Sequence, residues 1–596
     1  MDEYFELDGQ PQFIISGSLH YFRVPSAYWR DRLRKMKAAG LNSVSTFIEW
    51  SYHEPEERQY IFNGDRNVVK FIKTAAQEDL YVLIRPGPYI GAERDMGGLP
   101  YWLLGKYPDM MLRSSDKDFM EETKIWMEIL FARLSPLLFG NGGPIILVQV
   151  ENKYGVIGSD VTYKTKLRDI ISKHVDRKAL LYTTDLGTYD SFVAGAIPST
   201  ITTIVTHDPL EDLRKLMPLG PFINSELTTG WWTYWSVPKY WTYQDMITDH
   251  LEYMLKKNVH VNFYMFAGGT NFGFTSGATF NGSYIPVTTS FDSDAPLSEA
   301  GDPTPTYYAI KDVLKKYGFA TDLLRPTKSV KGAYGVVKVV GKINLFSKKG
   351  RALLSKRYGV IRDKVLPTFE QLRQRCGLML YETELDSVNG SLFIRMPRDM
   401  VYVFVDGVPQ GIISRMHQKH TLQLVSRVGS TLSLLVENQG RVDHGIGLRD
   451  HKGILSHVIY SFNVILDGPW KITGYPLHSV NFNYTANKKH IARGPIIYEG
   501  LFTLPKGQKP LDTFLDTTGW VKGFVWINDH NLGRYWPQIG PQVTLYVPGV
   551  WLRAAPAHNR LQILELIKAP LHLTIQFIDH PILDVPTTLF PNDIKI

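Results

Sequence analysis

The sequence predicts a multidomain chain, with an N-terminal (β/α)8 TIM barrel followed by all-β sandwich domains of jelly-roll type. Three observations carry this reading. The 596 residues exceed what one hydrophobic core serves. Through the first half, short β-rich apolar runs alternate with amphipathic helical stretches. After residue 324 the helical periodicity fades, and short alternating runs bounded by Gly, Asn and Pro take over.

Taken in order, strands are expected over 13–21, 43–50, 81–85, 144–151, 180–184, 200–206, 222–226 and 260–266. Helices are expected over 27–39, where Trp29, Leu33 and Met36 have helical spacing, and over 68–78, 117–138, 163–174, 210–216 and 243–257. Eight strands separated mostly by helices are the pattern of a closed parallel barrel. An open doubly wound sheet is the alternative, but no Gly-x-Gly-x-x-Gly turn follows an early strand, which argues against a nucleotide-binding version. The later β-runs include 400–405, closed by the turn Asp406-Gly407, then 431–436, 524–528, 543–547 and 561–566. The expected division is a barrel over 1–324, a linker and the start of a β-domain over 325–390, a sandwich over 391–490 and a C-terminal jelly roll over 491–596.

Composition excludes several function classes. The net charge of +8 is dispersed, and the densest basic runs, Lys348-Lys349 and Lys488-Lys489, are only pairs. A nucleic-acid partner would need a clustered basic face, so none is expected. No run of 18 apolar residues occurs, so no membrane span is expected. The single cysteine, Cys376, permits no intrachain disulfide and no thiolate cage. With no His-x-x-x-His pair on a helix, neither a metal nor a cofactor is expected. The start Met1-Asp2-Glu3 is polar and lacks a signal core, which fits an intracellular chain or one whose leader has been removed. Three N-x-S/T sequons, at Asn281, Asn389 and Asn483, are about the number chance supplies.

In a barrel of this kind the chemistry sits where strands end at the C-terminal face. Strand four runs into Gln149-Val150-Glu151-Asn152-Lys153-Tyr154-Gly155, and strand seven into Ile223-Asn224-Ser225-Glu226. Carboxylates at two such ends suit glycoside hydrolysis, and retention needs a nucleophile and an acid/base about 5–5.5 Å apart.

With these strand ends the chain resembles the β-galactosidases of glycoside hydrolase family 35, lysosomal acid members included. The resemblance runs from Ile15-Ser16-Gly17-Ser18-Leu19-His20-Tyr21 to Asn531-Leu532-Gly533-Arg534-Tyr535-Trp536-Pro537. Between these lie Arg85-Pro86-Gly87-Pro88-Tyr89-Ile90, Gly97-Gly98-Leu99-Pro100, Gly268-Gly269-Thr270-Asn271-Phe272 and Asp294-Ala295-Pro296-Leu297-Ser298-Glu299. It implies a galactose-binding-like fold for the C-terminal jelly roll, a β-galactoside or related glycan as ligand, and a lysosomal or secreted location. A homodimer or a protein partner stays open.

The resemblance also implies residue roles. Asn-Ser-Glu at strand seven makes Glu226 the nucleophile. The family's acid/base is the second glutamate of Glu-Asn-Glu-Tyr-Gly, and Lys153 stands there. Glu93, Asn152 and Tyr264 match sugar-binding positions, and Trp231 matches a ring that stacks on galactose. Phe47 and Ser293 replace tyrosines at the sugar site, Arg94 replaces a tryptophan, and Thr228 replaces a tyrosine.

A general acid works best with a pKa near the working pH, and an ammonium, near about 10.4, is a poor match. The expected ground state is an ion pair of Lys153 with Glu226. Glu151 is expected to share a strand face with Lys153, and Glu49 stands where the lysosomal members have proline; either is a candidate substitute acid. Three readings follow: a family member impaired or inactive in hydrolysis that keeps glycan binding, an active exo-β-galactosidase with a reassigned acid, or a non-catalytic scaffold whose β-domains bind a protein partner.

Overall fold

The computed structural model describes residues 5–588 apart from 176–177, 206–212, 216, 218–219, 241, 322–324, 462–463 and 481–494. Eight parallel strands close into a barrel. They are β1 (Ile15–Ser18), β2 (Ser43–Phe47), β3 (Tyr81–Arg85), β4 (Ile145–Gln149), β5 (Leu180–Asp185), β6 (Ile201–Ile204), β7 (Ile223–Thr228) and β8 (His260–Tyr264). Closure comes from β8 pairing with β1, Val261 opposite Ile15 and Phe263 opposite Gly17. These strands carry apolar or small residues at nearly every position because one face fills the barrel and the other lies under helices. Thus β2 and β4 are buried at every residue.

The outer helices include Trp29–Ala38, Val68–Gln77, Lys117–Leu134, Val161–Ser172 and Gln244–Lys256. Asp116 and Asp160 cap two of them by accepting bonds from the first-turn backbone N–H groups of Phe119 and Tyr163. The helix expected over 210–216 lies largely outside the described residues. A short helix that the periodicity missed, Tyr189–Gly195, follows β5.

Strand four ends sooner than expected. It stops at Gln149, and the next residues turn: Glu151 (φ 63°) and Lys153 (φ 52°) are both left-handed. This turn is pinned to β5, with Lys153 N donating to Thr184 O at 2.8 Å and Gly155 N to Asp185 Oδ1 at 2.8 Å. Gly155 is required, because a Cβ there would stand 1.9 Å from the carbonyl oxygen of Ser191.

Two β-sandwiches follow. In the first, a six-stranded sheet containing Leu378–Glu384, Met400–Val405 and Thr431–Glu437 faces a four-stranded sheet around Gly390–Ile394, over a core that includes Phe369, Val403, Leu434 and Trp470. The second pairs a five-stranded sheet containing Ile496–Phe502, Gly523–Ile527 and Asn559–Glu565 with a four-stranded sheet, over Trp520, Val525, Leu545 and Phe577. Strands Gly335–Lys338 and Val340–Asn344 belong to this second sandwich, Ile343 pairing with Ile497. The chain therefore crosses to its C-terminal unit and returns to build the first.

The units are joined by buried charge as well as apolar packing. Glu437 takes Lys522 at 2.7 Å and Arg534 at 3.0 Å between the sandwiches. Arg441 reaches Asp95 of the barrel at 2.9 Å, while Asp443 N donates to Ala278 O at 2.9 Å. These contacts lay the loop carrying Asp443 and His444 over the barrel mouth.

Candidate active site

Arg85, the last residue of β3, organises the floor. Its Nε donates to Gln149 Oε1 at 2.9 Å, and its Nη2 to Asn152 Oδ1 at 2.9 Å and Glu226 Oε1 at 2.6 Å. The guanidinium lies 4.1 Å from the centre of the Phe47 ring, a cation–π contact. Asn152 in turn donates to Ile90 O at 2.9 Å. The roles drawn from sequence missed Arg85; its signal was an arginine closing a strand immediately before Pro86-Gly87-Pro88.

The second oxygen of Glu226 belongs to Lys153: Nζ and Oε2 are 2.6 Å apart. Burial pushes the Glu226 carboxyl up, but the charges and hydrogen bonds of Lys153 and Arg85 outweigh it and hold the group below the ordinary glutamate range. The pair is lopsided, since 33% of the Lys153 side chain is accessible against 3% for Glu226.

Both candidate substitute acids are held in ion pairs with arginines. Glu151 does not share a face with Lys153, because the left-handed turn ends the alternation that a strand would impose. Its carboxylate is gripped by Arg113 at 2.9 and 2.7 Å and accepts from the Tyr163 hydroxyl at 2.8 Å. Glu49 is buried and holds Arg94 Nε at 2.7 Å and the Ser51 hydroxyl at 2.7 Å. Glu49 and Arg94 thus neutralise each other.

Around this centre, Glu93 is buried on a left-handed residue (φ 55°), and its Oε2 has no protein partner. Burial, with the nearby Asp443 charge, pushes its carboxyl up to about 8 against the pull of Arg23 and Lys153. Tyr264 closes β8 with its ring 5.7 Å from His20. Burial and the Glu93 and Glu226 charges raise its hydroxyl well above the usual tyrosine value. Arg85 Nη1 and His20 Nε2 are also buried without protein partners. Such spare donors and acceptors around one centre suit a polyhydroxylated ligand.

Glu226, Lys153, Asn152 and Phe47 are therefore joined directly or through Arg85, and Glu93 and Tyr264 are coupled to them by charge. Thr228 ends β7. Trp231 is 42% exposed and stacks on Trp232 at 4.1 Å. Ser293 is buried on a neighbouring loop with an unpartnered hydroxyl. That loop presses on Gly230, where a Cβ would meet Ser293 O at 1.7 Å. Trp231 and Ser293 make no hydrogen bond or ring contact with the Glu226 cluster among the described residues.

The first sandwich adds a pair that sequence reasoning did not reach. His444 Nδ1 is 2.5 Å from Asp443 Oδ1. The imidazole pKa is raised, chiefly by that hydrogen bond and also by Glu93, against burial and Lys153. Among the described residues no cluster of His, Cys, Asp and Glu could hold a metal ion, and no helix is long and apolar enough to cross a membrane.

Comparison with known proteins places this geometry in a family. The model of glycosyl hydrolases family 35 matches residues 4–317, and those of the β-galactosidase first all-beta domain and galactose-binding domain match 367–478 and 495–559. The chain belongs to glycoside hydrolase family 35. Its family 35 relatives include the β-galactosidase of Felis catus, 41% identical over 98% of this chain and 92% of the relative. The Homo sapiens β-galactosidase is 39% identical over 98% and 90%. The β-galactosidase-1-like protein of Mus musculus is 40% identical over 97% and 91%. In this family 35 chain, Lys153 is salt-bridged to the strand-seven glutamate, Glu226.

Proposed function

We propose that this family 35 protein binds the terminal β-galactosyl residue of a glycan at the barrel mouth but is impaired in its hydrolysis. The observation that carries the reading is the 2.6 Å Lys153–Glu226 ion pair. The commitment of Glu151 to Arg113 and of Glu49 to Arg94 supports it, since neither carboxyl is left to serve as the acid.

In this reading Glu226 is the nucleophile, held ionised by Lys153 and Arg85. Glu93, Asn152, Tyr264 and the Trp231 ring bind the sugar. Phe47 and Ser293 supply fewer hydroxyl contacts than tyrosines would. Lys153 fails at both steps of a retaining reaction. Its ammonium is a weak acid toward a departing alkoxide, and neither Glu151 nor Glu49 is left as a base to activate water. Loss of general acid–base help costs about 10²–10⁴-fold. The deficit in the first step grows with the basicity of the leaving group, so lactose suffers in both steps and a nitrophenyl galactoside chiefly in the second. A lysosomal or secreted location accords with the family resemblance.

The test pairs binding with turnover. Millimolar galactose is expected to raise the melting temperature, nitrophenyl β-galactoside to be cleaved, and lactose to remain nearly untouched. Lactose turnover at a rate matching the nitrophenyl substrate contradicts the impaired reading; no thermal shift with galactose contradicts the binding reading.

A further inference from the structure

The charge placed where a leaving group departs has the opposite sign from a carboxylate. Lys153 Nζ sits on Glu226 Oε2 at 2.6 Å with a third of its side chain accessible, so the ammonium forms the open end of the pair and Glu226 the closed end. His444 lies on the loop laid over the mouth, half exposed and bonded to Asp443. Neighbouring carboxylates are committed elsewhere, Glu151 to Arg113 and Glu49 to Arg94. Glu93 is buried, with one oxygen unpartnered; burial favours its neutral form.

An anomeric carbon entering between Nζ and Oε2 leaves the ammonium beside the departing oxygen. There a proton is hard to deliver but negative charge is well received, because a charge-assisted hydrogen bond from an ammonium stabilises an oxyanion. Building on the roles given above to Glu226 and Lys153, we propose that the chain transfers a β-galactosyl group between anions. The donor is a galactoside whose aglycone departs as an anion, and the acceptor is an oxyanion of the phosphate type.

The steps balance without a proton relay. Glu226 Oε2 attacks the anomeric carbon, and the glycosidic C–O bond breaks with its electron pair leaving on the aglycone oxygen, paired with Lys153. Hydrogen phosphate then takes the same place beside the ammonium. Its oxygen attacks the anomeric carbon, and Glu226 departs as a carboxylate. Two displacements leave the β configuration, and the product is a β-galactosyl phosphate monoester. Water, lacking both charge and a base, is a poor competitor.

The full chain incubated with nitrophenyl β-galactoside and inorganic phosphate or azide tests this. Phosphate is expected to speed nitrophenolate release about tenfold or more, with β-galactosyl phosphate accumulating by phosphorus NMR. The ratio of galactosyl phosphate to galactosyl azide is expected to fall about tenfold in Lys153→Gln, as loss of one charged hydrogen bond implies, and to hold in Lys153→Arg. Galactosyl azide without galactosyl phosphate overturns the proposal, as does an unchanged ratio in Lys153→Gln. No nitrophenolate with any acceptor overturns it together with the role of Glu226. Rapid lactose hydrolysis sinks the impaired-hydrolase reading separately, leaving the phosphate product to judge transfer.

Discussion

Glu226 is compensated twice: Oε2 lies 2.6 Å from Lys153 Nζ, and Oε1 lies 2.6 Å from Arg85 Nη2. A carboxylate in this setting is stable as an anion and unattractive to a proton. The lysine therefore stabilises the resting, ionised form of Glu226.

Arg85 satisfies three side chains at once, so its loss leaves Gln149, Asn152 and Glu226 short of a donor. Arg85→Met is expected to cost about 3 kcal/mol, the low end for breaking a buried ion pair, because Lys153 still holds Glu226. The shift in denaturant midpoint measures it.

Glu49 and Arg94 form a buried bridge at 2.7 Å. Arg94→Trp alone strands a buried carboxylate and is expected to destabilise by about 3–5 kcal/mol. In a double-mutant cycle with Glu49→Gln and Arg94→Gln, the double variant is expected to lose less than the sum of the singles, by about 0.5–3 kcal/mol. Strict additivity contradicts the pairing.

Glu93 and Glu226 pull stability in opposite directions with pH. The Glu226 carboxyl is held below its unfolded value, so its contribution is present above about pH 4.3 and is lost as pH falls through the folded value. The Glu93 carboxyl is pushed up to about 8, so its contribution is present below about pH 4.3 and is lost as pH rises toward 8. Glu93→Gln, which fixes the neutral form, is expected to raise the melting temperature relative to the parent near pH 8 and change it little near pH 4.5. Parallel pH profiles for the two proteins contradict the assignment.

Much of this was legible in the sequence. Alternating strands and helices marked the barrel because each element carries its own period, and the strand-end motifs placed Glu226 and Lys153 together. Three features were not legible. The left-handed turn at Glu151 and Lys153 is set by bonds to β5, and it moved Glu151 out of the site. The return of strand Val340–Asn344 to pair with Ile496–Phe502 depends on contacts far apart in the chain. Asp443 and His444 reach the mouth only through domain packing, anchored by Arg441 on Asp95.

Glu151 is held by Arg113 and Tyr163, so it is expected to act on structure and not on the leaving group. Glu151→Gln is expected to destabilise by about 1–3 kcal/mol while the ratio of rates on nitrophenyl galactoside and lactose stays as in the parent. A selective loss on lactose would instead mark Glu151 as the acid.

The central claim, that Lys153 disables hydrolysis of unactivated galactosides, is tested most directly by the rate of lactose hydrolysis in the parent and in Lys153→Glu. Restoring the carboxyl is expected to raise that rate by about 10²–10⁴-fold, and the rate on nitrophenyl β-galactoside by less, because only its second step needs the carboxyl. A parent chain that already hydrolyses lactose as fast as the variant contradicts the account.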